Sequence, residues 1–556
     1  MPDQCATTTL THAITCAAGP FAPGHLGELT QHVPFELADA VLEETRSGHR
    51  RLRHLPSRVG IYFLLALALF PSLGYMRVWG KLTAGLHGLT LHHPSEKALR
   101  DLRRRLGPAP LKALFEAVSG PLARPGTHGT CYRSWRTVAF DGCSSLKAPD
   151  QPRIRNLFGK SKHRWGISGY PALRLTALVE TGTRGLLGAV FGPTSTGEST
   201  HAARLMHLLT PTMLLLVDRG FDGNNFYTAV AKTGAQLLAR LGSNRKPAVI
   251  AVLPDGSYLT RLGGLQLRVI EADITVTTRD GQRIHDRYRL ATTLLDPHSD
   301  PAAALVRLYH ERWEIESAFY ALRHTLLRGR VLRSCDPFGL EQELWAILTA
   351  YQALRRAMTE AVESVPGIDP DRASFTVALE TARDQVTSTR GILPALDRID
   401  DPGLIGHAVL SDLLPPRRAR VSARKVKCPM TRYPGNSADP RPAVSQDIVS
   451  LDIAVHQAVL PPPEPDRPPV NPGRKTLVLD LLRTAPDRPW RSHEIAQAIN
   501  CPNIKSLWTQ LSTWVKDGML RRTAKDTYEL VSAWATSPRP SGESAGQHPL
   551  QAPGTA

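Results

Sequence analysis

The stretch MLLLVDRGFDG (Met213–Gly223) joins five consecutive apolar residues to an aspartate, Asp218. A continuous apolar run of this length predicts a strand that is buried on both faces, as in a parallel sheet covered by helices. Open α/β sheets carry their functional groups at the carboxyl ends of their strands. Asp218 is therefore a candidate site residue, although an aspartate that follows a strand next to glycine is also a common turn residue.

The sequence on either side of this stretch has the same α/β character. Upstream, RTVAF (Arg136–Phe140) predicts a strand that ends on Asp141, and two more strands are predicted at Ala172–Glu180 and Gly185–Gly192. Downstream, strand-like segments with Asp-Gly turns predict a β-rich insertion at about 236–292. We expect Asp141 and Asp218 to lie at the ends of neighbouring strands.

A third acidic residue lies in YHERWEIESAFYALR (Tyr309–Arg323), within a long helix predicted from Ala302 to Leu327. On a helical projection Tyr309, Arg312, Glu316 and Arg323 share one face, beside an apolar stripe that predicts core packing. Arg312 and Glu316, four residues apart, are also the spacing of an ordinary surface ion pair. The alignment of a phenol and two guanidinium groups with the carboxylate favours a functional face.

Three carboxylates that converge repel one another and are costly to desolvate. Divalent cations that prefer hard oxygen ligands offset this cost, and Mg²⁺ is the first choice. We predict Asp141, Asp218 and Glu316 as catalytic residues and metal ligands of two Mg²⁺ ions, with Mn²⁺ as a substitute. Two ions held in this way clamp the attacking and leaving oxygens of a phosphodiester.

Charge and cysteine content narrow the class of protein. The 556 residues carry a net charge of +18, which favours a polyanionic partner such as DNA. The seven cysteines are scattered and form no CxxC pair, so a disulfide framework or zinc site is not expected and a reducing cytoplasm fits. The longest apolar run, Ile61–Phe70, is too short to span a bilayer and predicts a buried helix, so no membrane partner is expected.

The chain is expected to divide into six segments. They are a tail (1–22), a helical N-terminal domain (23–125), a catalytic α/β domain (126–400), a basic and Pro-rich linker (401–473), a winged-helix domain (474–533) and a disordered tail (534–556). In the winged-helix domain the third helix, about Asn503–Lys516, is predicted to bury Ile504, Leu507, Trp508, Leu511 and Val515. Lys505, Ser506, Gln510 and Ser512 are predicted to face outward, as on a recognition helix. Such a domain binds either DNA or protein, and its basic residues Arg521, Arg522 and Lys525 favour DNA.

A second DNA-contact candidate follows the Asp141 motif. RIRNLFGKSKHRWG (Arg153–Gly166) interleaves basic residues, among them Lys160 and Arg164, with Phe158 and Trp165. This mixture suits a surface that contacts phosphates and stacks bases. A solvated loop around a buried tryptophan is the alternative, and the sequence does not decide between them.

The spacing Tyr309-x2-Arg312-x3-Glu316-x6-Arg323 resembles the Y-(2)-R-(3)-E-(6)-K signature of insertion-sequence transposases of the insertion-element-four family. VAFDG around Asp141 and LLLVDRGFDG around Asp218 match the same family, and Arg51–Leu82 resembles its N-terminal domain. The resemblance covers roughly residues 22 to 360. One departure is Arg323, where the family usually has lysine, which replaces a compact cation by a planar fork.

The resemblance implies a DDE transposase with an RNase H-like catalytic core. It implies metal-dependent cleavage at the terminal inverted repeats of an element and transfer of the 3′-hydroxyl into target DNA, by a homodimer on paired ends in a bacterial cytoplasm. Tyr309, Arg312 and Arg323 are then expected to hold DNA phosphates. Two other readings stay open: a transposase-derived DNA-binding regulator without catalysis, and an RNase H-like nuclease that cleaves without joining.

Overall fold

The computed structural model describes residues 24–48, 54–87, 89–160, 162–163, 166–167, 169–278, 281, 283–310, 312, 314–390, 402–415, 448–460, 473–501 and 503–532. The predicted tails and most of the predicted linker lie outside these residues. The chain separates into two compact units, one that ends at Leu460 and one that begins at Pro461.

Helices fill the N-terminal part of the first unit. They are α1 (Leu29–His32), α2 (Phe35–Glu44), α3 (Ser57–Leu69), α4 (Tyr75–Thr83), α5 (Glu96–Leu106) and α6 (Ala109–Val118). Every residue of α3 except Arg58 is buried, as the apolar run Ile61–Phe70 predicts. In the part of the chain that the structure describes, no helix is long and apolar enough to cross a membrane.

One large mixed sheet follows, with short helices between its strands. Its strands are β1 (Cys131–Tyr132), β2 (Trp135–Lys147), β5 (Ala172–Glu180), β6 (Leu186–Pro193), β7 (Met213–Val217), β8 (Gln236–Arg240), β9 (Ala251–Val252), β10 (Tyr258–Leu262), β11 (Leu265–Thr278), β12 (Arg283–Thr292) and β13 (Ile448–Val455). Between them lie α7 (Pro152–Phe158), a two-stranded ribbon of β3 (Lys162–His163) and β4 (Gly166–Ile167), α8 (Glu198–Ala203) and α9 (Asn224–Lys232).

The strand order of the sheet is β6-β5-β2-β7-β8-β12-β11-β10-β9, with β1 beside β2 and β13 beside β11. β2 runs antiparallel to β5, and β5 to β6, whereas β2, β7 and β8 are parallel. β12 pairs antiparallel with β8, so the strands of the predicted insertion extend this same sheet. The insertion therefore does not form a separate layer.

Side chains that alternate along the central strands fill two cores, one on each face of the sheet. Ala139 of β2 and Leu216 of β7 belong to the core that includes the N-terminal helices, whereas Phe140 and Val217 face the core beside α8 and α9. The helices that follow the sheet in sequence complete the first core. They are α10 (Ala302–His310), α11 (Glu314–Tyr320), α12 (Pro337–Glu363), α13 (Phe375–Ser388) and α14 (Gly403–Ser411).

Two predicted element boundaries are wrong. β2 does not end at Asp141 but continues to Lys147, because Gly142, Cys143 and Leu146 go on pairing with β5 around a β-bulge. The helix predicted from Ala302 to Leu327 is not uniform: α10 ends at His310, α11 begins at Glu314, and 321–326 is a π-helix. A π-helix bonds each residue to the fifth one before it, so a regular helical projection does not hold along this segment.

The segment predicted as a linker also contains regular structure. α14 packs on α12 and α13, and β13 pairs antiparallel with β11 from Ala272↔Val455 onward. The sequence IVSLDIAV alternates apolar and polar residues toward its centre, which suits a strand that packs one face on the core.

The second unit is a small domain of three helices and a three-stranded sheet. Its elements are α15 (Arg474–Arg483), β14 (Trp490–Arg491), α16 (Ser492–Ala498), α17 (Ile504–Lys516), β15 (Leu520–Ala524) and β16 (Thr527–Leu530), with the strand order β14-β16-β15. The core residues of α17 are Leu507, Leu511 and Trp514. The prediction that Trp508 is buried is wrong: its side chain is 41% exposed, and Trp514 takes the core position.

Candidate active site

Asp141 and Asp218 lie at one edge of the parallel part of the sheet. The register between β2 and β7 runs from Arg136↔Met213 to Ala139↔Leu216, and β7 ends at Val217. Continued by two residues, this register brings Asp141 to the level of Asp218. Adjacent strands are about 4.8 Å apart, so the two backbones are close enough for their carboxylates to share one site.

Local hydrogen bonds fix both aspartates. The Asp218 Oδ1 atom accepts a hydrogen bond from the Gly220 N–H at 2.8 Å and so caps a short 3₁₀ turn. The Asp141 Oδ1 atom accepts from the Gly142 N–H, also at 2.8 Å. The DRG and DG sequences thus place each carboxylate against the backbone that follows it.

Glu316 and Arg312 reach the same edge from the helical segment that follows the sheet. The Glu316 side chain is exposed on α11, whereas Arg312 is buried between α10 and α11. Burial opposes the charge of Arg312, but Tyr309, Asp141, Asp218 and Glu316 together raise its pKa above the ordinary value. Arg312 is therefore a buried cation on which the charges of all three predicted carboxylates act.

The pKa of Asp141 also responds to the other charged groups of this site. This pKa is raised to about 7, chiefly by burial and also by the charges of Asp218 and Glu316. Arg312 and the hydrogen bond from Gly142 act in the opposite direction. Burial is thus the largest cause of the raised pKa of Asp141, and the neighbouring carboxylates add to it.

Tyr309 lies behind this edge. Its side chain is 2% exposed, and its hydroxyl donates a hydrogen bond to the Val217 carbonyl at 3.1 Å. The Tyr309 ring packs edge-to-face on Tyr288, and the Arg312 guanidinium lies 5.8 Å from its centroid. Burial raises the pKa of Tyr309 to about 12, so the phenol stays protonated and holds the strand end that carries Asp218.

Arg323, the last residue of the motif, lies in the π-helix and is partly exposed. Its carbonyl accepts a hydrogen bond from the Gly329 N–H at 2.7 Å, which closes the end of the segment. No ion pair or hydrogen bond of its guanidinium is seen with any residue that the structure describes. Arg323 is thus a cation available to an anion from solution.

The basic segment after Asp141 is described only in part. Lys160 pairs with Asp150 at 2.7 Å, and Arg155 pairs with the same carboxylate at 3.2 Å. Arg164 and Trp165 lie outside the described residues. In the described part of this segment Phe158 is buried in the core and Lys160 already has an acidic partner, so the expected aromatic and basic surface is not seen there.

Glu198, which the sequence analysis missed, also lies at this edge. It is the first residue of α8, and its carboxylate faces Gly142 and Gly220, the glycines that follow Asp141 and Asp218. Burial raises the pKa of Glu198, the charge of Asp218 adds to that effect, and Arg174 opposes it. In sequence an acidic residue at the start of a helix is ordinary, so no signal singled it out.

These carboxylates have the donor chemistry that Mg²⁺ and Mn²⁺ prefer. Among the residues that the structure describes, no three His, Cys, Asp or Glu side chains are arranged as a formed metal cluster. The charges of Asp141, Asp218 and Glu316 instead act on Arg312. The tyrosines of the insertion, Tyr258 and Tyr288, are 5% and 3% exposed and hence are covered by protein.

A separate candidate surface lies on α17 in the second unit. The exposed side of this helix forms a shallow groove lined by Lys505, Trp508, Thr509, Ser512, Thr513 and Lys516. The Trp508 indole donates a hydrogen bond to the Ser492 hydroxyl at 3.0 Å, which fixes the ring at the surface. Ser506 and Gln510, predicted to face outward with Lys505, instead bind the Arg474 guanidinium at 3.1 Å each.

Two families match different parts of the chain. Residues 23–116 match the insertion element 4 transposase N-terminal family, which covers the helices α1 to α6 almost completely. Residues 137–353 match the transposase DDE domain family, which contains the strands that carry Asp141 and Asp218 and the helix that carries Glu316.

Named relatives agree with these families. The transposase InsG for insertion sequence element IS4 of Escherichia coli (strain K12) is 26% identical over 429 residues, 74% of this chain and 93% of InsG. The putative transposase InsZ of the same organism is 24% identical over 205 residues, 37% of this chain and 67% of InsZ. A solved piggyBac transposase synaptic complex with hairpin DNA aligns with 70% of this chain and 84% of its own, at 10% identity and a TM-score of 0.35.

Proposed function

Because this chain belongs to the insertion element 4 family of DDE transposases, we propose that it cuts DNA at the terminal inverted repeats of an insertion sequence and joins the freed 3′-hydroxyl to target DNA. Its activity as an insertion-sequence DNA transposase follows from the family. The two chemical steps, the residues that carry them and the ions that assist them are inferred from the site.

The catalytic residues in this proposal are Asp141, Asp218 and Glu316. The observation that carries it is the shared level of Asp141 and Asp218 on neighbouring parallel strands. Glu316 supports it because its charge acts on Asp141, and Arg312, which lies among all three, responds to each of them. Three acids grouped around one buried cation are costly to maintain, and a site for metal ions accounts for the cost.

Asp141, Asp218 and Glu316 would hold two Mg²⁺ ions, with Mn²⁺ as a substitute. When bound, such ions neutralise charge on the attacking and leaving oxygens of a phosphodiester. The protein supplies a continuous strand for Asp141, the turn after β7 for Asp218, a helix for Glu316, and hydrogen bonds from Gly142 and Gly220 that aim the aspartates. Phosphoryl transfer of this kind depends on positioning and charge, so no protein nucleophile is needed.

Five residues are proposed to contact DNA: Tyr309, Arg312, Arg323, Lys160 and Arg164. Arg323 fits best, since it is partly exposed and pairs with no described residue. Tyr309 and Arg312 are buried, so they would act on a phosphate that enters between the carboxylates while they also hold the site together. Lys160 would have to exchange Asp150 for a phosphate.

The catalytic core is proposed to be RNase H-like. Five strands support this reading, in the sheet order β6-β5-β2-β7-β8. β2 runs antiparallel to β5 and β5 antiparallel to β6, whereas β7 and β8 run parallel to β2. The strands β9 to β12 then form the β-rich insertion between Asp218 and Glu316.

The second unit is proposed to be a winged helix that binds DNA. Three helices followed by the β15–β16 hairpin support this fold, and the groove on α17 with Lys505, Trp508 and Lys516 supports a nucleic-acid partner. In the hairpin Arg521 pairs with Glu529 and Arg522 with Asp526, which leaves less free charge there than the sequence predicts. The active species is proposed to be a homodimer on paired ends.

A cleavage and joining assay tests the function. The purified chain is incubated with DNA that carries the element's ends, with Mg²⁺ or with a chelator, and nicked and joined products are separated on a denaturing gel. We expect both products only with metal. DNA binding without cleavage would favour the transposase-derived regulator, and cleavage without joined products would favour the nuclease.

A further inference from the structure

Glu198 lies beside Gly142 of β2 and Gly220 of the turn that follows β7. A Cβ atom built on Gly142 would lie 2.8 Å from Glu198 Oε1, and one built on Gly220 would lie 3.1 Å from Glu198 Oε2. Contacts under 3.0 Å are essentially never seen for real Cβ atoms. The Glu198 carboxylate thus lies in the space beside both glycines, and its Oε2 atom is next to Asp218 across Gly220.

The same geometry bounds the distance from Glu198 to Asp218. The Cβ position built on Gly220 lies 3.0 Å from Asp218 Oδ1 and 3.1 Å from Glu198 Oε2. The two carboxylate oxygens are therefore no further apart than the sum of these distances, 6.1 Å. One ion with ligands at about 2.0–2.6 Å, or a pair of ions about 4 Å apart, bridges such a gap after a small side-chain movement.

Arg174, the cation nearest to Glu198, does not fully engage it. The Arg174 Nε atom is 3.7 Å from Glu198 Oε1, beyond hydrogen-bond distance, and this buried Nε has no hydrogen-bond partner. Arg174 instead donates through Nη1 to the Thr196 carbonyl at 2.5 Å. A glutamate that served only to neutralise Arg174 would be expected to close this gap; the carboxylate of Glu198 instead lies toward Gly142 and Gly220.

We propose that Glu198 is a fourth carboxylate ligand of the transposase's metal site, on the Asp218 side. This inference rests on the proposed function of Asp141 and Asp218. Glu198 would share the ion next to Asp218. A side chain at Gly142 would have to displace the Glu198 carboxylate, and a side chain at Gly220 would leave it less room.

Binding of Mn²⁺ alone to the full chain, followed by electron paramagnetic resonance, tests this role. Glu198→Gln keeps the shape of the side chain and removes its charge, and we expect about 10- to 100-fold weaker Mn²⁺ binding, as for removal of groups that support a metal site. Glu198→Asp keeps the charge on a shorter chain, so an intermediate affinity is expected. Glu116→Gln is the matched control, because Glu116 is an exposed glutamate that pairs only with Lys112 on α6.

Asp218→Asn in the same titration separates this inference from the proposed function. If Asp218→Asn loses Mn²⁺ and Glu198→Gln binds it like the unchanged chain, the role of Glu198 is overturned and the proposed site stands. If Asp218→Asn binds Mn²⁺ normally, the proposed site itself fails. Thermal melting without metal identifies a folding defect. If Glu198→Gln unfolds, Mn²⁺ binding is measured with Glu198→Asp and Gly142→Ala instead. Unaltered Mn²⁺ affinity in both of these variants overturns the proposed role of Glu198.

Discussion

Asp141 and Asp218 stand at the same level on neighbouring parallel strands, because the register that pairs Ala139 with Leu216 reaches both aspartates two residues later. Asp218 follows the end of its strand, whereas Asp141 lies within a strand that continues and pairs with Ala177 on its other side. The backbone of Asp218 is thus fixed by a turn, and that of Asp141 by strand pairing with β5. Both attachments are rigid, as a site for positioned metal ions requires.

Asp218→Asn is expected to abolish cleavage and leave binding to the element's ends largely intact. The amide keeps the shape and the acceptor atom for the Gly220 N–H but loses the charge that holds a metal ion. Cleavage is measured on end-bearing DNA with Mg²⁺, and binding is measured by gel shift without metal. Asp101→Asn, in a surface pair with Arg104, is the control. Mg²⁺-dependent cleavage by the purified Asp218→Asn protein would remove Asp218 from the catalytic set.

Asp141→Asn should stabilise the metal-free protein above neutral pH. Burial raises the pKa of Asp141 to about 7, so the folded chain retains a proton that the unfolded chain has lost above about pH 4. Stability contributed by the protonated carboxyl is therefore lost as the pH rises from about 4 to 7, and a neutral amide does not suffer this loss. We expect the variant to gain at least ~1 kcal/mol at pH 8 and little at pH 4.

Urea unfolding in the presence of a chelator, at pH 4 and at pH 8, measures this difference. Excess Mg²⁺ should reverse it, because the wild-type carboxylate gains a cation and the amide does not. A gain of equal size at both pH values would mean that charge burial is not the cause.

Tyr309→Phe distinguishes two roles for the tyrosine of the motif. Loss of the hydrogen bond to the Val217 carbonyl leaves a buried acceptor unpaired and should cost about 1 kcal/mol of unfolding free energy. Cleavage should fall because the strand end that carries Asp218 is less firmly held. Tyr320→Phe, at a tyrosine that is 63% exposed on α11, is the control. Unchanged stability together with weaker DNA binding would instead assign the hydroxyl to a phosphate.

How far the sequence predicts this site depends on the range of the interactions involved. The strands around Ala172–Glu180 and Met213–Val217 are set by their own apolar pattern, and both were predicted with the bounds observed. The continuation of β2 beyond Asp141 depends on pairing with β5, which no local pattern reveals. The sequence motif names Glu316 and Arg312, but no local pattern in it predicts the π-helix at 321–326.

Other parts of the molecule are fixed by contacts between distant segments. β13 lies within the predicted linker and pairs with β11, and Glu198 lies near Asp218 because α8 packs against β2 and the turn that follows β7. In α17 both Trp508 and Trp514 are suited to a helix core. The Trp508 indole instead bonds to the Ser492 hydroxyl at the surface, and Trp514 packs in the core of this unit. A single sequence contains these residues but not their partners.

Trp508→Ala should weaken DNA binding by the full chain if the groove on α17 contacts nucleic acid. The ring is exposed between Lys505 and Lys516, and aromatic contacts to bases are worth about 1–3 kcal/mol. We therefore expect roughly tenfold weaker binding in a gel shift at moderate salt. Phe338→Ala, which removes a 72% exposed aromatic ring from the other unit, is the control. Equal losses from both variants would indicate a general effect of surface aromatics.

Removal of the second unit tests whether it adds affinity or chemistry. A chain that ends at Leu460 keeps β13 in the large sheet and all the proposed catalytic residues, because the boundary between the units follows that position. We expect it to fold and to cleave end-bearing DNA at high protein concentration. Its DNA binding should be weaker, and the logarithm of its binding constant should fall less steeply with the logarithm of salt concentration, since fewer phosphates are neutralised. The full chain measured over the same salt series is the reference. Equal affinity and equal slope would mean that the unit does not bind DNA, and a contact with a second transposase chain on paired ends would then explain it better.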